Sequence, residues 1–109
     1  MTLNDYGHMA ESFMDPELGY MPVIYPALGL AGEAGEVADK IKKAIRDNRD
    51  CHTDGLRRAI ALEIGDVLWN CAMLASDLGF TLEEVARMNI GKLESRKQRH
   101  TLSGSGDNR

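Results

Sequence analysis

Residues 29–43 read GLAGEAGEVADKIKK and predict the helix around which the rest of the chain is arranged. Apolar residues recur along one face of this helix at amphipathic spacing: Leu30, Ala34, Val37, Ile41 and Ile45. Glu33 and Glu36 are three residues apart, so they lie side by side at the edge of that face. We predict that the helix begins at residue 26 or 27 and ends near Asp47.

Three glycines interrupt this predicted helix, namely Gly29, Gly32 and Gly35. A glycine in a helix interior costs roughly 1 kcal/mol relative to alanine. We therefore predict that another helix or a ligand approaches this segment closely.

A second acidic pair, Glu63 and Asp66, lies in a longer predicted helix from about Leu56 to Leu78. This helix is apolar in almost every direction, and Asn70 joins the two acids in its narrow polar stripe. Helices that are apolar all round are normally buried. Because so short a chain has few other elements to cover such a helix, we predict a homo-oligomer built as a shared helical bundle.

Two shorter helices complete the predicted fold. Thr2 can cap a first helix, and Thr81 with Glu84 forms a capping box for a last helix that ends near Arg99. No segment has the alternating pattern of a strand. The predicted class is all-α, with four helices in a bundle-like arrangement.

Length and composition limit the function classes. The 109 residues predict one domain, residues 1–100, and a flexible, Ser/Gly-rich tail at residues 101–109. A net charge of −4 argues against a nucleic-acid-binding surface. We expect no membrane span and no signal peptide, since no unbroken apolar run approaches ~20 residues and the N-terminus lacks a basic start. Cys51 and Cys71 form no metal-binding pair, so we predict reduced thiols and a cytoplasmic protein.

The two acidic pairs are expected to meet. In an antiparallel hairpin, Glu36 and Asp66 each lie about 11 residues from the turn, so at ~1.5 Å per residue they stand at nearly equal height. Glu33 and Glu63 then lie about one turn away on either side. Four carboxylates this close beside apolar surface need a multivalent cation. Oxygen ligands alone favour Mg²⁺ or Mn²⁺, and the Glu-x-x-His motif of di-iron bundles is missing.

The competing interpretation is a solvated face, on which Glu33 and Glu36 form ion pairs with Lys40 and Lys43 along their own helix. The other acidic helix decides between the two interpretations. Its carboxylates interrupt an apolar surface, where a solvated face is implausible, so we favour the metal site.

Three segments together resemble the MazG-like nucleotide pyrophosphohydrolases: 25–37 (YPALGLAGEAGEV), 63–69 (EIGDVLW) and 89–96 (NIGKLESR). The mark of that family is Glu-x-x-Glu, a spacer, and then Glu-x-x-Asp. Here the spacer between Glu36 and Glu63 is 26 residues long. Either pair alone is weak evidence, but both pairs with the basic third segment are specific.

The resemblance implies an all-α dimer or tetramer that uses Mg²⁺ to hydrolyse nucleoside triphosphates to monophosphates and pyrophosphate, in nucleotide-pool house-cleaning. The implied catalytic and metal-binding residues are Glu33, Glu36, Glu63 and Asp66. The implied substrate-binding residues are Lys40, Lys43, Trp69, Asn70, Asn89, Lys92 and Arg96. The basic side chains among them would neutralise phosphate charge.

Several alternatives stay open at this stage. A phosphoribosyl-ATP pyrophosphohydrolase shares the helical architecture, and a non-catalytic oligomerisation module is the alternative from another class. Lys92 and Arg96 could lie on a solvated face. Asn70 could hold a sugar hydroxyl, hold a phosphate or only satisfy its helical neighbours. For Tyr20, Met21 and Tyr25 we favour packing onto the core over a wall for the base.

Overall fold

The computed structural model describes residues 1–109, apart from the side chain of Leu18. The backbone described contains no strand, which confirms the all-α class. A 3₁₀ turn, Pro16–Leu18, lies between the first two helices. The four α-helices are α1 (Leu3–Glu11), α2 (Ile24–Arg46), α3 (Asp54–Asp77) and α4 (Leu82–Gln98).

The helix bounds follow the sequence signals closely. The helix α2 begins two residues before Pro26, which lies in the first turn, where its missing N–H is not needed. The predicted cap at Thr2 is present as a capping box with Asp5, and the predicted capping box of Thr81 and Glu84 is present as well. Asp5 N donates to Thr2 Oγ1 at 3.0 Å in α1, and Glu84 N donates to Thr81 Oγ1 at 3.1 Å in α4.

The central unit is the antiparallel hairpin of α2 and α3. Among the described elements, α2 packs closely only against α3, whereas α1 and α4 contact α3 and each other. Trp69 Nε1 donates to the carbonyl of Ala10 at 3.0 Å, and Ser76 Oγ donates to Glu11 at 2.9 Å. These bonds hold α1 against the C-terminal half of α3. The end of the hairpin near the α2–α3 turn is therefore not covered by α1.

Only a thin core forms within one chain. Apart from Pro26, the buried apolar residues are mostly small: Ala10, Ala44, Ala72, Met73 and Ala75. The chain exposes 8040 Å², whereas a compact monomer of this mass exposes about 6,000 Å². Its radius of gyration is 16.7 Å, against about 13 Å for a compact domain of this length. The burial predicted for α3 is therefore not achieved within a single chain, where Leu62, Ile64 and Leu68 remain exposed.

By length and hydropathy alone, α3 would suffice to cross a membrane, a criterion that the core helix of a soluble protein also meets. Glu63 and Asp66 lie near its middle. A charged side chain at the centre of a bilayer costs ~2.5–3.5 kcal/mol even on insertion scales. That no membrane span is present stays a prediction.

Candidate metal centre and nucleotide cavity

The hairpin brings together three of the four predicted carboxylates. Glu33 comes from α2, and Glu63 and Asp66 come from one face of α3. One carboxylate oxygen from each of the three lies within 4.8 Å of the others. Glu36 is exposed one turn further along α2 and lies outside this group. The residues Glu33, Glu63 and Asp66 are called the acidic cluster below.

The electrostatics of the acidic cluster are unfavourable without a cation. The pKa of Glu33 is raised above its ordinary value, first by its removal from solvent and then by the negative charges of Asp66, Glu63 and Glu36. Glu36 therefore acts on the cluster through its charge. The donor set is all oxygen, which fits a hard divalent cation such as Mg²⁺.

The lysines of α2 make different ion pairs from those of the solvated-face interpretation. Lys40 Nζ lies 3.1 Å from Glu63 Oε1, across the hairpin, so this lysine borders the acidic cluster. Lys43 Nζ lies 2.6 Å from Asp39 Oδ2 on its own helix. Both lysines line a groove of about 290 Å³ near the turn, which Arg49 also borders.

A cavity of about 440 Å³ adjoins the acidic cluster. It is lined by Tyr25, Leu28, Gly29, Glu33, Asp66, Trp69 and Asn70. Asn70 is only 5% exposed, and its Nδ2 donates to the carbonyl of Asp66 at 2.9 Å. Gly29 lies directly against this side chain, since a Cβ built there would be 2.1 Å from Asn70 Oδ1. The close approach predicted for the glycines of α2 thus occurs at Gly29.

The aromatic residues around the cavity differ in role. Trp69 is half-buried, fastened to α1 through its indole N–H, and still lines the cavity. Tyr20 is half-buried, as the packing interpretation predicted. Met21 and Tyr25 are exposed instead, and the ring of Tyr25 faces the cavity. Leu28 and Tyr25 were not predicted as site residues, although both lie in the 25–37 segment.

The basic stripe of α4 lies apart from this cavity in the single chain. Lys92 Nζ lies 3.2 Å and Arg96 Nη2 lies 3.3 Å from the same oxygen of Asp107, in the C-terminal tail. Arg96 is 5% exposed, and its Nε is buried without a partner among the described atoms. Asn89 is exposed on the same helix. Neither Lys92 nor Arg96 borders the cavity, so one protomer does not unite the whole predicted substrate site.

The tail carboxylate responds to these two cations. Its hydrogen bond to Lys92 and the charge of that lysine, followed by the contact with Arg96, lower the pKa of Asp107. Arg96 Nη2 also donates to the carbonyls of Gly106 and Asp107, at 3.3 and 3.2 Å. The sequence predicts that this tail is flexible, whereas in the structure it contacts α4.

A second group of potential metal ligands lies in the α2–α3 turn. Asp50, Cys51 and His52 are consecutive, largely exposed residues whose ligand atoms lie within 4.8 Å of one another. Asp50 Oδ1 accepts from the backbone N of His52 at 2.8 Å and lies 3.0 Å from its Nδ1. These contacts are those of an Asp-initiated turn, and we assign the group no role.

The fold and the acidic cluster define an all-α protein with a carboxylate-rich site between two helices. Residues 26–101 match the MazG nucleotide pyrophosphohydrolase domain, and the chain belongs to this family. The resemblance found in the sequence is thereby confirmed. Proteins of this family are typically metal-dependent.

The chain is also similar to the "Gene 37 protein" of Mycobacterium phage L5. The two are 47% identical over 85 residues, which cover 78% of this chain and 75% of the phage protein. No solved structure matches the chain significantly.

Proposed function

We propose that this protein is a Mg²⁺-dependent nucleoside triphosphate pyrophosphohydrolase. It would convert (d)NTP to (d)NMP and pyrophosphate, as part of nucleotide-pool house-cleaning in the cytoplasm. The observation that carries the proposal is the acidic cluster beside a 440 Å³ cavity with aromatic and carboxamide walls. A cavity of this size lies in the range of small-molecule sites.

We assign Glu33, Glu63 and Asp66 to the metal, and Glu36, which lies one turn outside the acidic cluster, as the fourth carboxylate of the same centre. Mn²⁺ is the other ion that the oxygen donors suit. The raised pKa of Glu33 supports this assignment, because removal from solvent, and after it the negative charges of Asp66, Glu63 and Glu36, disfavour its ionised form where no cation is bound. When bound, a divalent cation neutralises phosphate charge and polarises the attacking water.

The chain's own residues supply the remaining chemistry. The cavity would hold the nucleoside, and Asn70, immobilised by its bond to Asp66, presents a carboxamide to it. A carboxylate that is not used fully as a ligand would take the proton of the attacking water. Lys40 lies at the edge of the acidic cluster, where its ammonium group can meet a phosphate oxygen.

A second copy of the chain completes the site in this proposal. Lys92 and Arg96 would contact phosphate from α4 of a neighbouring protomer, since in their own chain they do not border the cavity. The single chain exposes about 2,000 Å² more than a compact monomer of its mass. For two chains the surplus is about 4,000 Å², which lies in the range of obligate homodimer interfaces. The exposed apolar side chains of α3 contribute to it. A dimer or tetramer is the proposed working unit.

The test is pyrophosphate release from a panel of ribo- and deoxyribonucleoside triphosphates and phosphoribosyl-ATP, with Mg²⁺ and then with EDTA. The neutral variants Glu33→Gln, Glu36→Gln, Glu63→Gln and Asp66→Asn should each lose most turnover and remain folded. Glu94→Gln, an exposed carboxylate on α4, serves as the control with unchanged turnover.

Three results would each contradict part of this proposal. Near-wild-type rates in two of the four neutral variants would exclude the proposed metal site. Hydrolysis of phosphoribosyl-ATP alone would identify the related enzyme of histidine synthesis. No hydrolysis of any nucleotide would favour a non-catalytic oligomerisation module.

A further inference from the structure

A single carboxylate fastens the segment before α2 to the end of α3. Asp77, the last residue of α3, accepts at Oδ2 a short hydrogen bond from the hydroxyl of Tyr20 and a second bond, 2.8 Å long, from the backbone N of Val23. Partial burial, and then the hydrogen bond and charge of Asp77, raise the pKa of Tyr20. The phenol therefore remains a donor, and one oxygen atom holds two points of the α1–α2 connection.

The backbone at this attachment is strained. Val23 has φ 67° and ψ −51°, a positive-φ conformation that is a genuine outlier for a β-branched residue. Ile24 N donates to the carbonyl of Pro22 at 2.7 Å, so residues 22–24 form a γ-turn of the rare positive-φ type. Such a turn persists only where its surroundings hold it, and the bond to Asp77 does so. The helix α2 begins at the next residue.

Tyr25 connects this attachment to the cavity. Its ring packs against the ring of Tyr20 with centroids 5.4 Å apart and planes tilted by 50°. Tyr25 is nonetheless 44% exposed and lines the cavity beside Trp69 and Asn70. One side of the ring is thus supported by Tyr20, and another is available to a planar ligand. Nucleobases stack on aromatic side chains whatever the base, because every base has a π-face.

We infer that Tyr25 is the ring on which the base of the substrate stacks, and that Asp77 is a positioning residue that sets this ring through Tyr20 and the turn at Val23. The inference deepens the proposed function and rests on it for the identity of the substrate. Asp77 touches no reacting group, since it lines neither the cavity nor the acidic cluster. Its removal should therefore weaken nucleotide binding and leave the chemical step intact.

The kinetic test separates KM from kcat in the full-length protein. In Asp77→Ala we expect KM for the hydrolysed triphosphate to rise about tenfold with kcat within twofold, the pattern of lost uniform binding. Asp77→Asn keeps an acceptor oxygen and should stay within about threefold of wild type. Tyr25→Ala should match or exceed the loss in Asp77→Ala. The double variant should lose no more than Tyr25→Ala alone, because Asp77 acts through that ring.

A binding measurement makes the inference testable without hydrolysis. Trp69 is the only tryptophan of the chain and lines the cavity. Its fluorescence can report titrations with dAMP, dCMP, dGMP and dTMP in EDTA. We expect quenching by at least one of these, and a rise in its Kd in Asp77→Ala similar to the rise in KM. Tyr20→Phe removes only the hydroxyl and provides a milder variant if Asp77→Ala does not fold.

The control is Glu83→Ala, which also removes a hydrogen bond between distant segments. Glu83 accepts this bond, 2.9 Å long, from Asn4 Nδ2, and it joins α1 to α4. This variant should lower Tm and leave KM and nucleotide affinity unchanged. If Asp77→Ala behaved in the same way, Asp77 would be a structural residue only and the inference would be wrong. Failure of all four monophosphates to perturb Trp69 would also overturn it. Monophosphate binding that weakens in Asp77→Ala, in a protein without hydrolytic activity, would support the inference and refute the proposed function.

Discussion

Replacing Gly29 by alanine tests the closest approach between α2 and α3. The added Cβ would lie 2.1 Å from Oδ1, 2.9 Å from Cγ and 3.3 Å from Nδ2 of Asn70. Asn70 cannot simply swing away, because it is 5% exposed and its amide is bonded to the carbonyl of Asp66. Either the helices separate locally or Asn70 gives up that bond.

The expected magnitude is a balance of two effects. Alanine gains ~1 kcal/mol over glycine in a helix interior. Overpacking costs ~1–3 kcal/mol, and a buried amide left without its partner costs ~1–3 kcal/mol. Because one or the other of these costs applies, we expect Gly29→Ala to lower the free energy of unfolding by up to about 2 kcal/mol. For a domain of about 100 residues this corresponds to a fall in Tm of up to roughly 8–16 °C.

The same helix provides matched controls. A Cβ at Gly32 or Gly35 would meet no described atom within 4 Å. Gly32→Ala and Gly35→Ala should therefore keep the full gain in helix propensity and raise Tm by up to about 4–8 °C. The measurement is thermal unfolding followed by far-ultraviolet circular dichroism. All variants should be compared at one protein concentration, because the stability of an oligomer depends on it.

A double variant identifies the cause. Gly29→Ala combined with Asn70→Ala should be less destabilised than the sum of the single variants by about 1 kcal/mol or more, since the clash requires both side chains. Activity should follow the same order, because Asn70 is a wall of the cavity. If Gly29→Ala were as stable as Gly32→Ala, or if the two substitutions were additive, the close contact between Gly29 and Asn70 would be refuted.

Three further predictions concern α4, the tail and the assembly. Lys92→Ala and Arg96→Ala should each lower kcat/KM at least tenfold, roughly 1.4 kcal/mol; unchanged kinetics in both would show that neither cation contacts the phosphates. Asp107→Asn should lower KM about two- to threefold at low ionic strength, and less at high salt, because the carboxylate of Asp107 pairs with Lys92 and Arg96 and so competes with phosphate for them. An unchanged or higher KM would show that the tail does not compete with phosphate. Light scattering at low micromolar concentration should detect a dimer or tetramer that Leu68→Glu disrupts; an active species of 12 kDa would contradict this.

The sequence alone determined the helices and the part of the hairpin in which the acidic residues lie, because both depend on local rules. Capping boxes at Thr2 and Thr81 and the spacing of apolar residues predicted the helix bounds closely. The counting of residues outward from the turn predicted that all four carboxylates would meet, with Glu36 level with Asp66. Glu33, Glu63 and Asp66 do meet, whereas Glu36 lies outside their group, so the count located the site but was wrong about Glu36. That count depends only on the rise per residue and the antiparallel hairpin.

The tertiary structure decided which long side chains meet which partners. Lys40 is one turn from Glu36 on its own helix, yet it pairs with Glu63 across the hairpin. The attachment of Tyr20 to Asp77 joins residues that are 57 positions apart. The C-terminal tail folds against α4, where Asp107 forms ion pairs with Lys92 and Arg96. No local pattern encodes these contacts, because each depends on how distant segments are placed relative to one another. The side chains involved are also flexible and could satisfy their charges or hydrogen bonds in several ways.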